Sequence, residues 1–399
     1  MKVLLGHNFY RSLAPSGEDV VFHNEQALLE KNGIEVVSYE RHNDDIDVSN
    51  LQGKVKVAIE GAWSGRTYDE LRQLIERHKP IIAHFHNTFP LITPSAWAAC
   101  QDSGVPVVQT LHNYRFVCPG ALLQRGGRPC EACLRKSLLP ALSYRCYRES
   151  LLATAAQVWM ITYNRWKRSF RTLVNRYVAL TAFAAGRLEA GGLPGERIEV
   201  KPNFLCQSPE RGRVREPYAV FVGRLSREKG VETLIETWPK VSGLGLQVLG
   251  DGPLRTMLAK RSAQVGLDVK FLGYRKKEDV MDIVSKAALL IIPSECYEGF
   301  PMAVLEAYAC GTPVVASRIG SLAEIVLDGE TGLLFEPLNA WDLAAKVNVL
   351  TADRELSSRL GRHAREEFDK KYTAETNYKI LMGIYDRAIE DFRKAGKRQ

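Results

Sequence analysis

Two carboxylates flank a short turn within residues 294–317, SECYEGFPMAVLEAYACGTPVVAS. Glu298 lies directly before Gly299, and Glu306 lies eight positions after Glu298. The N-terminus of a helix binds phosphate well, because its first backbone N–H groups have no intrahelical partner and its dipole is positive there. A phosphate site flanked by carboxylates that bind hydroxyl groups is what a nucleotide sugar requires. The alternative is an ordinary packing helix with two solvated glutamates.

A strand–helix–strand unit is expected to position these carboxylates. The apolar run AALLIIP predicts a buried strand, and PVVAS predicts the strand that follows the helix. Gly299 permits a tight turn, and Pro301 suits the first helical position, where no N–H is needed. Gly311 is placed to end the helix. The helix would present the amides of Phe300–Ala303 to a phosphate, with Glu306 about a turn and a half further along.

Two cations follow the strand predicted for YAVFVG. Gly223 allows the backbone to leave the sheet, Arg224 comes next, and Lys229 lies five residues later in GRLSREKG. A planar guanidinium and an ammonium group at the end of a strand suit a diphosphate, and they would stabilise the charge of a departing nucleoside diphosphate. The alternative for this pair alone is a solvated basic turn.

A histidine lies at the end of another predicted strand, in QTLHNYRF. The His112 imidazole could hydrogen-bond a sugar hydroxyl and move a proton near neutral pH. His84 and His86, in AHFHNTF, are equally well placed by pattern alone, and a single histidine is more often structural. The residues by themselves leave the choice among the three open.

Strand and helix patterns alternate from the start of the chain, and a second such series begins at Tyr218. Alternation of this kind predicts parallel sheets with crossover helices. We therefore expect an α/β fold of two doubly wound, Rossmann-like domains that face each other across a cleft, with ligands at the C-terminal ends of the strands. The expected ranges are 1–205 for the first domain with an insert at 117–176, 206–217 for a linker, 218–375 for the second domain, and 376–399 for a final helix that crosses back to the first.

The composition supports two globular domains. The chain has 399 residues, of which 45% are hydrophobic and 25% charged. We expect no signal peptide, and the uncharged stretch tested as a membrane span, residues 150–164, is shorter than the roughly 20 residues that cross a bilayer. A cytoplasmic location with reduced cysteines follows. The motifs of dinucleotide-binding dehydrogenases, P-loop ATPases and α/β-hydrolases are absent from the sequence.

GRLSREKG, followed about seventy residues later by EGFPMAVLEAYACGTPVVAS, resembles the retaining nucleotide-sugar glycosyltransferases of the GT-B fold, glycosyltransferase family 4. Glu298 and Glu306, with seven residues between them, match that family's Glu-x7-Glu signature. SGEDVVFHNEQALLEKNGIEV resembles the first glycine loop and helix of the family, although Ser16-Gly17 stands where Gly-Gly is usual. QVLGDGPLRTML, VKFLGY and IGSLAEIVLDGETGLLFEP also match, and the resemblance is weakest from 134 to 176.

The resemblance implies a role for each matching residue. Arg224 and Lys229 would bind the diphosphate, and Glu306 would bind the ribose. Glu298 and the amides of Gly299–Met302 would hold the donor sugar, and His112 would lie beside it. The implied donor-binding set is Gly17, Arg224, Lys229, Gly273, Tyr274, Glu298, Gly299, Phe300, Pro301, Met302 and Glu306, and the implied catalytic set is His112, Arg224, Lys229 and Glu298.

The implied reaction is retaining, metal-independent transfer of a hexose from a UDP- or GDP-sugar to a hydroxyl of a glycan or a polyprenyl-diphosphate-linked glycan, as in bacterial surface polysaccharide assembly. The acceptor would attack from the face that the nucleoside diphosphate leaves, so neither a cofactor nor an enzyme nucleophile is expected. Two alternatives remain open. One is a nucleotide-sugar 2-epimerase on the same fold, and the other is a non-catalytic, basic protein that binds membranes or polyanions.

Four cysteines have a spacing that suits a structural zinc ion. Cys118, Cys130, Cys133 and Cys146 form C-x11-C-x2-C-x12-C in a Gly/Pro-rich segment. Four reduced thiols or an isolated redox pair are equally compatible with one C-x2-C. A zinc ion here would be structural and would not take part in catalysis.

The net charge of +8 is concentrated between 134 and 176, where nine Lys/Arg accompany one acid, Glu149. Aromatic residues lie among these cations, at Trp159, Tyr163, Trp166 and Phe170. This combination is typical of a surface that contacts anionic lipid, so we expect peripheral binding to the inner membrane face near a lipid-linked acceptor. The alternative is a helix with a solvated basic face. No motif for nucleic acid accompanies the basic residues.

Overall fold

A computed structural model describes residues 1–10, 16–46, 59–134, 137–207 and 214–396. The chain divides into two compact units. Unit 1 contains 1–123, 131–203 and 377–399, and unit 2 contains 124–130 and 204–376. Most of the strand predicted for KVKVAIEG, half of the expected linker, and the basic residues Arg135 and Lys136 lie outside the described residues.

Unit 1 is built on a parallel sheet of six strands in the order β2-β1-β3-β4-β7-β8. The strands are β1 (Lys2–Phe9), β2 (Glu35–His42), β3 (Ile82–Phe85), β4 (Val107–Leu111), β7 (Arg176–Ala179) and β8 (Ile198–Val200). The helices are α1 (Gly17–Lys31), α2 (Gly65–His78), α3 (Ser95–Asp102), α4 (Leu139–Ser143), α5 (Leu151–Trp166), α6 (Ser169–Thr172) and α7 (Ala182–Ala190). Helical 3-10 turns occupy Asn43–Asp45 and Gly195–Arg197.

The last helix of the chain completes the core of unit 1. Helix α15 (Ala374–Gly396) packs Leu381, Ile384 and Tyr385 against strand residues such as Val3 and Ile82, all of them fully buried. Burial of such side chains contributes about 1.5–3 kcal/mol each relative to exposure. The helix is therefore a structural part of unit 1.

Unit 2 has a second parallel sheet, in the order β11-β10-β9-β12-β13-β14. The strands are β9 (Glu216–Val222), β10 (Gly245–Leu249), β11 (Val269–Gly273), β12 (Ala287–Ile292), β13 (Val314–Ser317) and β14 (Gly332–Phe335). The helices are α8 (Val231–Thr237), α9 (Arg255–Gln264), α10 (Lys277–Lys286), α11 (Met302–Ala309), α12 (Gly320–Ile325), α13 (Ala340–Ala352) and α14 (Arg354–Lys371), with 3-10 turns at Arg227–Lys229 and Trp238–Lys240.

The order of strand addition reverses between β9 and β12: β10 and β11 lie on one side of β9, and β12, β13 and β14 lie on the other, with all strands parallel. Ligands of doubly wound sheets bind at such a switch point, beyond the carboxyl ends of the strands. GRLSREKG follows β9 and SECYEGFP follows β12, so the two segments singled out in the sequence meet at this point of unit 2.

The prediction of two doubly wound, Rossmann-like sheets is confirmed. The sequence patterns did not reveal three short strands, β7, β8 and β14, because runs of three or four residues carry little periodicity.

A short hairpin, β5 (Gln124–Arg125) and β6 (Arg128–Pro129), belongs to unit 2 although its range lies within the first domain expected from the sequence. The Gln124 side chain donates a hydrogen bond to the Glu295 carbonyl at 3.2 Å. A Cβ on Gly127 would lie 3.3 Å from Glu295 Oε2. These contacts attach the hairpin to the loop after β12.

Candidate active site

Glu298 is held in the loop between β12 and α11 by two neighbours. Lys229 Nζ donates to Glu298 Oε1 at 2.7 Å and to Oε2 at 2.9 Å. The Ser294 hydroxyl donates to Oε1 at 2.6 Å. The carboxylate side chain is only 11% exposed, so this geometry is well defined by its partners.

The Lys229 ammonium is the cation of this pair. Burial lowers the pKa of Lys229, but the Glu298 carboxylate outweighs burial, and the net effect raises the pKa. Lys229 therefore stays charged at neutral pH. Its side chain keeps 29% exposure, which leaves room for a second anionic partner.

Arg224 lies at the end of β9 with an exposed side chain, and among the described residues no partner hydrogen-bonds its guanidinium. The backbone beside it is fixed by close packing of two loops. Leu225 N–H donates to the Asp251 carbonyl at 2.9 Å, and a Cβ on Gly250 would lie 2.0 Å from the Gly223 carbonyl oxygen. Because Gly250 also has a φ of +126°, only glycine suits this position. The guanidinium is therefore a free cation on a rigid loop.

Helix α11 begins at Met302, and Pro301 is its N-cap residue with extended ψ. The prediction that Pro301 occupies the first helical position was thus one residue early, since the chain is still extended at Pro301. Gly311 has a φ of +63° and ends the helix as predicted. The first turn of α11 presents N–H groups without intrahelical partners, which suits a phosphate or a sugar hydroxyl.

Glu306 lies on α11 just over one turn from the first helical residue. Burial raises its pKa to about 7, and Lys277 opposes this shift. The carboxyl therefore takes up a proton at a higher pH than an ordinary glutamate does. A ligand that donates hydroxyl hydrogens to it would favour the charged form.

The other implied donor-binding residues occupy different environments in unit 2. Gly273 ends β11 with a φ of +72°, and Tyr274 next to it is 68% exposed. The Phe300 ring is buried and packs edge-on against Tyr372, with ring centroids 5.6 Å apart. Phe300 thus anchors the loop by its ring, and only its backbone is suited to a ligand.

Glu295 is a buried carboxylate that the sequence analysis missed. It is 4% exposed, and burial raises its pKa to about 7 against the opposing effect of Arg227. Its N–H donates to the Glu228 carbonyl at 2.9 Å. The sequence offered no signal for it beyond its place three residues before Glu298.

In unit 1, His112 follows β4 and contacts a buried network of polar side chains. Its Nε2 lies 3.0 Å from Nδ1 of His86, and Nε2 of His86 lies 3.0 Å from Glu25 Oε1. Burial, followed by the neighbouring His86 ring, holds the pKa of His112 well below its usual range. Of the three histidines that the pattern could not separate, His84 and His86 are fully enclosed and His112 retains some exposure.

Glu25 is the anion at the centre of this network of polar side chains. Lys201 Nζ lies 2.8 Å from Glu25 Oε2, and His84 Nδ1 lies 2.8 Å from Oε1. Burial raises the pKa of Glu25, but Lys201 and the two histidines outweigh it and hold the pKa well below its ordinary value. Within the described residues, Glu25, His84 and His86 are also the one group of three whose ligand atoms are close enough for a metal ion. The Lys201 ammonium on the same carboxylate favours a hydrogen-bonded network instead.

Gly17 is the first residue of α1, and it is exposed. The preceding Ser16 N–H donates to Asp19 Oδ2 at 2.8 Å, and Asp19 Oδ1 accepts from His7 Nε2 at 2.8 Å. These bonds fix the start of the helix after β1. Beside it, burial raises the pKa of Glu18, which accepts a hydrogen bond from Asn113 at 2.8 Å.

The four cysteines considered for zinc are all described. Cys118 and Cys133 are buried, and Cys130 and Cys146 are partly exposed. They do not form a group of potential metal ligands within 4.8 Å of one another in the part of the chain that the structure describes. The zinc hypothesis therefore gains no support from this geometry.

Two family models match consecutive parts of the chain. Residues 17–205 match the model described as Glycosyltransferase Family 4, and residues 207–367 match Glycosyl transferases group 1. The two matches place the chain among the family 4-type glycosyltransferases. The Glu298 and Lys229 segments lie inside the second match, and Glu25, His86 and His112 lie inside the first.

Individual relatives agree with this assignment. An uncharacterized glycosyltransferase of Methanocaldococcus jannaschii is 35% identical over 168 residues, which cover 42% of this chain and 46% of the relative. The chain thus spans about half the length of that relative. The alpha-D-kanosaminyltransferase of Streptomyces kanamyceticus is 26% identical over 71% of this chain and 70% of its own.

The solved structure of HepE from Anabaena in complex with UDP is similar in fold. It superposes with a TM-score of 0.67 at 18% identity and covers 97% of this chain and 100% of its own. This likeness confirms the GT-B fold.

Proposed function

We propose that this protein transfers a hexose from a nucleotide sugar to a hydroxyl group of a glycan or lipid-linked glycan, with retention of configuration. The observation that carries the proposal is the Lys229–Glu298 pair at the N-terminus of α11, beside the unpartnered Arg224, at the switch point of the unit 2 sheet. Two cations, helix N–H groups and two carboxylates at one sheet edge match the diphosphate and the hydroxyl groups of such a donor.

Each residue has a proposed part in donor binding. Arg224 and Lys229 bind the diphosphate, and Glu306 accepts hydrogen bonds from the ribose. Glu298 is oriented by Lys229 and Ser294, so one of its oxygens can accept a hydroxyl of the sugar. UDP is the first nucleotide to test, because the similar HepE structure was solved with UDP.

In the proposed reaction the bond between the anomeric carbon and the diphosphate oxygen breaks, and the acceptor oxygen bonds to that carbon from the same face. The acceptor proton passes to the leaving phosphate oxygen. The charge that develops on the diphosphate is stabilised by Arg224, Lys229 and the N-terminus of α11. No residue is required as a nucleophile, and these protein cations supply the charge that a metal ion would otherwise provide.

The acceptor side of the proposal involves the surface of α5 in unit 1. Leu152, Trp159 and Trp166 on this helix are 76%, 48% and 76% exposed. The exposed cations around them are Arg145, Arg148, Lys167, Arg168 and Arg171. Exposed aromatic rings among cations suit the interface of an anionic membrane, so we propose peripheral binding to the inner leaflet, where a lipid-linked acceptor would be presented. In the part of the chain that the structure describes, no helix is long and apolar enough to cross a bilayer.

A thermal-shift panel of UDP-, GDP- and ADP-sugars tests the proposal, because a bound donor stabilises the folded state by mass action. We expect one nucleotide to raise the melting temperature. Turnover of that donor should then depend on an acceptor. Donor conversion without any acceptor, to a 2-epimer, would instead identify the epimerase alternative. Vesicle binding without any nucleotide effect would identify the non-catalytic alternative.

A further inference from the structure

The side chains that surround Glu25 do more than fill the core of unit 1. We infer that Glu25, acting through His86, fixes the tautomer of His112, so that His112 presents an unprotonated Nδ1 as a hydrogen-bond acceptor. This inference rests on the proposed function for its chemical purpose, since Nδ1 of His112 would accept a hydrogen bond from a hydroxyl of the reacting sugar. Glu25 and His86 are then positioning residues, and His112 is the group that touches substrate.

The direction of the hydrogen bonds follows from the carboxylate at one end. An ionised carboxylate only accepts, so the ring nitrogen of His86 at 3.0 Å from Glu25 Oε1 must carry a hydrogen. That nitrogen is Nε2. A neutral imidazole has one N–H, so Nδ1 of His86 is left as an acceptor and must receive the hydrogen from His112 Nε2 at 3.0 Å. His112 is consequently protonated at Nε2 and bare at Nδ1.

His86 is neutral because Lys201 already balances the charge of Glu25. The Lys201 ammonium lies 2.8 Å from the second oxygen of Glu25, and both side chains are almost completely buried. Lys201 therefore neutralises the carboxylate, so no imidazolium is needed as its counter-ion. Burial also lowers the pKa of His86 to about 4, against the opposing effect of Glu25.

His112 lies at the exposed end of this hydrogen-bonded network, so a ligand can reach the network there. His84 and His86 are enclosed on all sides, whereas His112 retains exposure. Among the described residues, none hydrogen-bonds His112 Nδ1. The acceptor nitrogen at this exposed end of the network is thus available to a ligand.

His84 provides a matched control. It lies on the same strand two residues before His86, is also fully buried, and also contacts Glu25 Oε1, at 2.8 Å. Its Nε2 is 2.8 Å from the Thr110 hydroxyl, and no bond joins it to His112. Loss of His84 therefore disturbs Glu25 but leaves the link between His86 and His112 intact.

The test is ring ¹⁵N NMR on the full chain labelled at histidine, with the His112 signals assigned from H112Q. We expect wild-type His112 to be the neutral Nε2–H tautomer at pH 7. In H86L, the Nδ1–H form of His112 should become populated. For the donor identified by thermal shift, kcat should fall about tenfold with little change in KM, which is the effect expected for loss of one hydrogen bond. H86N, whose side-chain oxygen can accept in place of Nδ1, should restore both, and H84L should keep the wild-type tautomer.

An Nδ1–H or doubly protonated His112 in the wild-type protein would overturn the inference, and so would equal changes in H84L and H86L at matched melting temperatures. The NMR result does not depend on a substrate. If no nucleotide sugar binds, the proposed function fails while the tautomer assignment is still decided on its own evidence.

Discussion

The ammonium of Lys229 bridges both oxygens of Glu298, at 2.7 Å and 2.9 Å, although the two residues are 69 positions apart. The pair joins the loop after β9 to the loop after β12, the two strands at the switch point of the unit 2 sheet. The Glu298 carboxylate raises the pKa of Lys229, and the hydrogen bonds orient both side chains before any ligand binds. Such preorganised charges are the usual source of electrostatic stabilisation in a transferase site.

Glu306 should make stability depend on pH. Its folded-state pKa is raised from 4.5 to about 7, so the folded state binds more protons than the unfolded state between these values, and stability falls as the pH rises through them. E306Q should therefore be more stable than wild type at pH 8, by about 1–2 kcal/mol after allowance for solvent. Urea unfolding at pH 4.5 and pH 8 checks this, and a difference that does not shrink toward pH 4.5 would contradict it.

The Glu25–Lys201 pair should be essential for the stability of unit 1. K201M leaves a buried carboxylate without its counter-ion, which we expect to lower the free energy of unfolding by about 3–5 kcal/mol. The double variant E25Q/K201M should recover part of this loss, because it removes the unpaired charge. Denaturant unfolding of the two variants and of E25Q measures the coupling. Additive effects of the two substitutions would show that the pair is not coupled.

Membrane binding should depend on the exposed rings of α5. W159A/W166A should weaken sedimentation with vesicles that contain anionic lipid, because the two rings are the largest exposed apolar groups among its cations. W341A is the control, since Trp341 is 73% exposed but lies on α13 in unit 2. Equal vesicle binding by wild type and W159A/W166A would refute the proposal that α5 contacts the membrane. An equal loss of vesicle binding in W341A would refute it as well.

Glu298 should never carry a covalently bound sugar. Its carboxylate is already engaged by Lys229 and Ser294, and the proposed front-face reaction uses no enzyme nucleophile. Intact-protein mass spectrometry during turnover should show the unmodified mass, and the product should keep the anomeric configuration of the donor. A mass increase of one hexose that maps to Glu298 would contradict the mechanism.

Much of the candidate donor-binding region could be predicted from the sequence, because its signals are local. The strand before Glu298, the turn at Gly299 and the helix end at Gly311 follow from residues that are neighbours in the chain. The position of Glu306 within that helix follows from spacing alone. Pro301 was misplaced by one residue, which is the usual uncertainty of a helix boundary.

The rest depends on long-range contacts that no local pattern encodes. Glu25 and Lys201 are 176 positions apart, and neither was considered as a functional residue. The choice of His112 over His84 and His86 came from family resemblance, since only the fold reveals which ring remains exposed. Glu295 was missed because its burial depends in part on the hairpin at 124–130, which lies far from it in sequence.

Calorimetric titration with UDP- and GDP-hexoses measures whether unit 2 binds a nucleotide sugar through Arg224 and Lys229. One donor should bind the wild-type protein, and R224M and K229M should each weaken it at least about tenfold by losing a charge-assisted contact to phosphate. K260M, which removes an exposed lysine of α9, should leave the affinity within about twofold. Weaker binding by R224M is not expected to come from misfolding, because the Arg224 side chain is exposed and its guanidinium hydrogen-bonds no other described residue. Failure of every nucleotide sugar to bind, or equal affinities in R224M, K229M and K260M, would contradict the account.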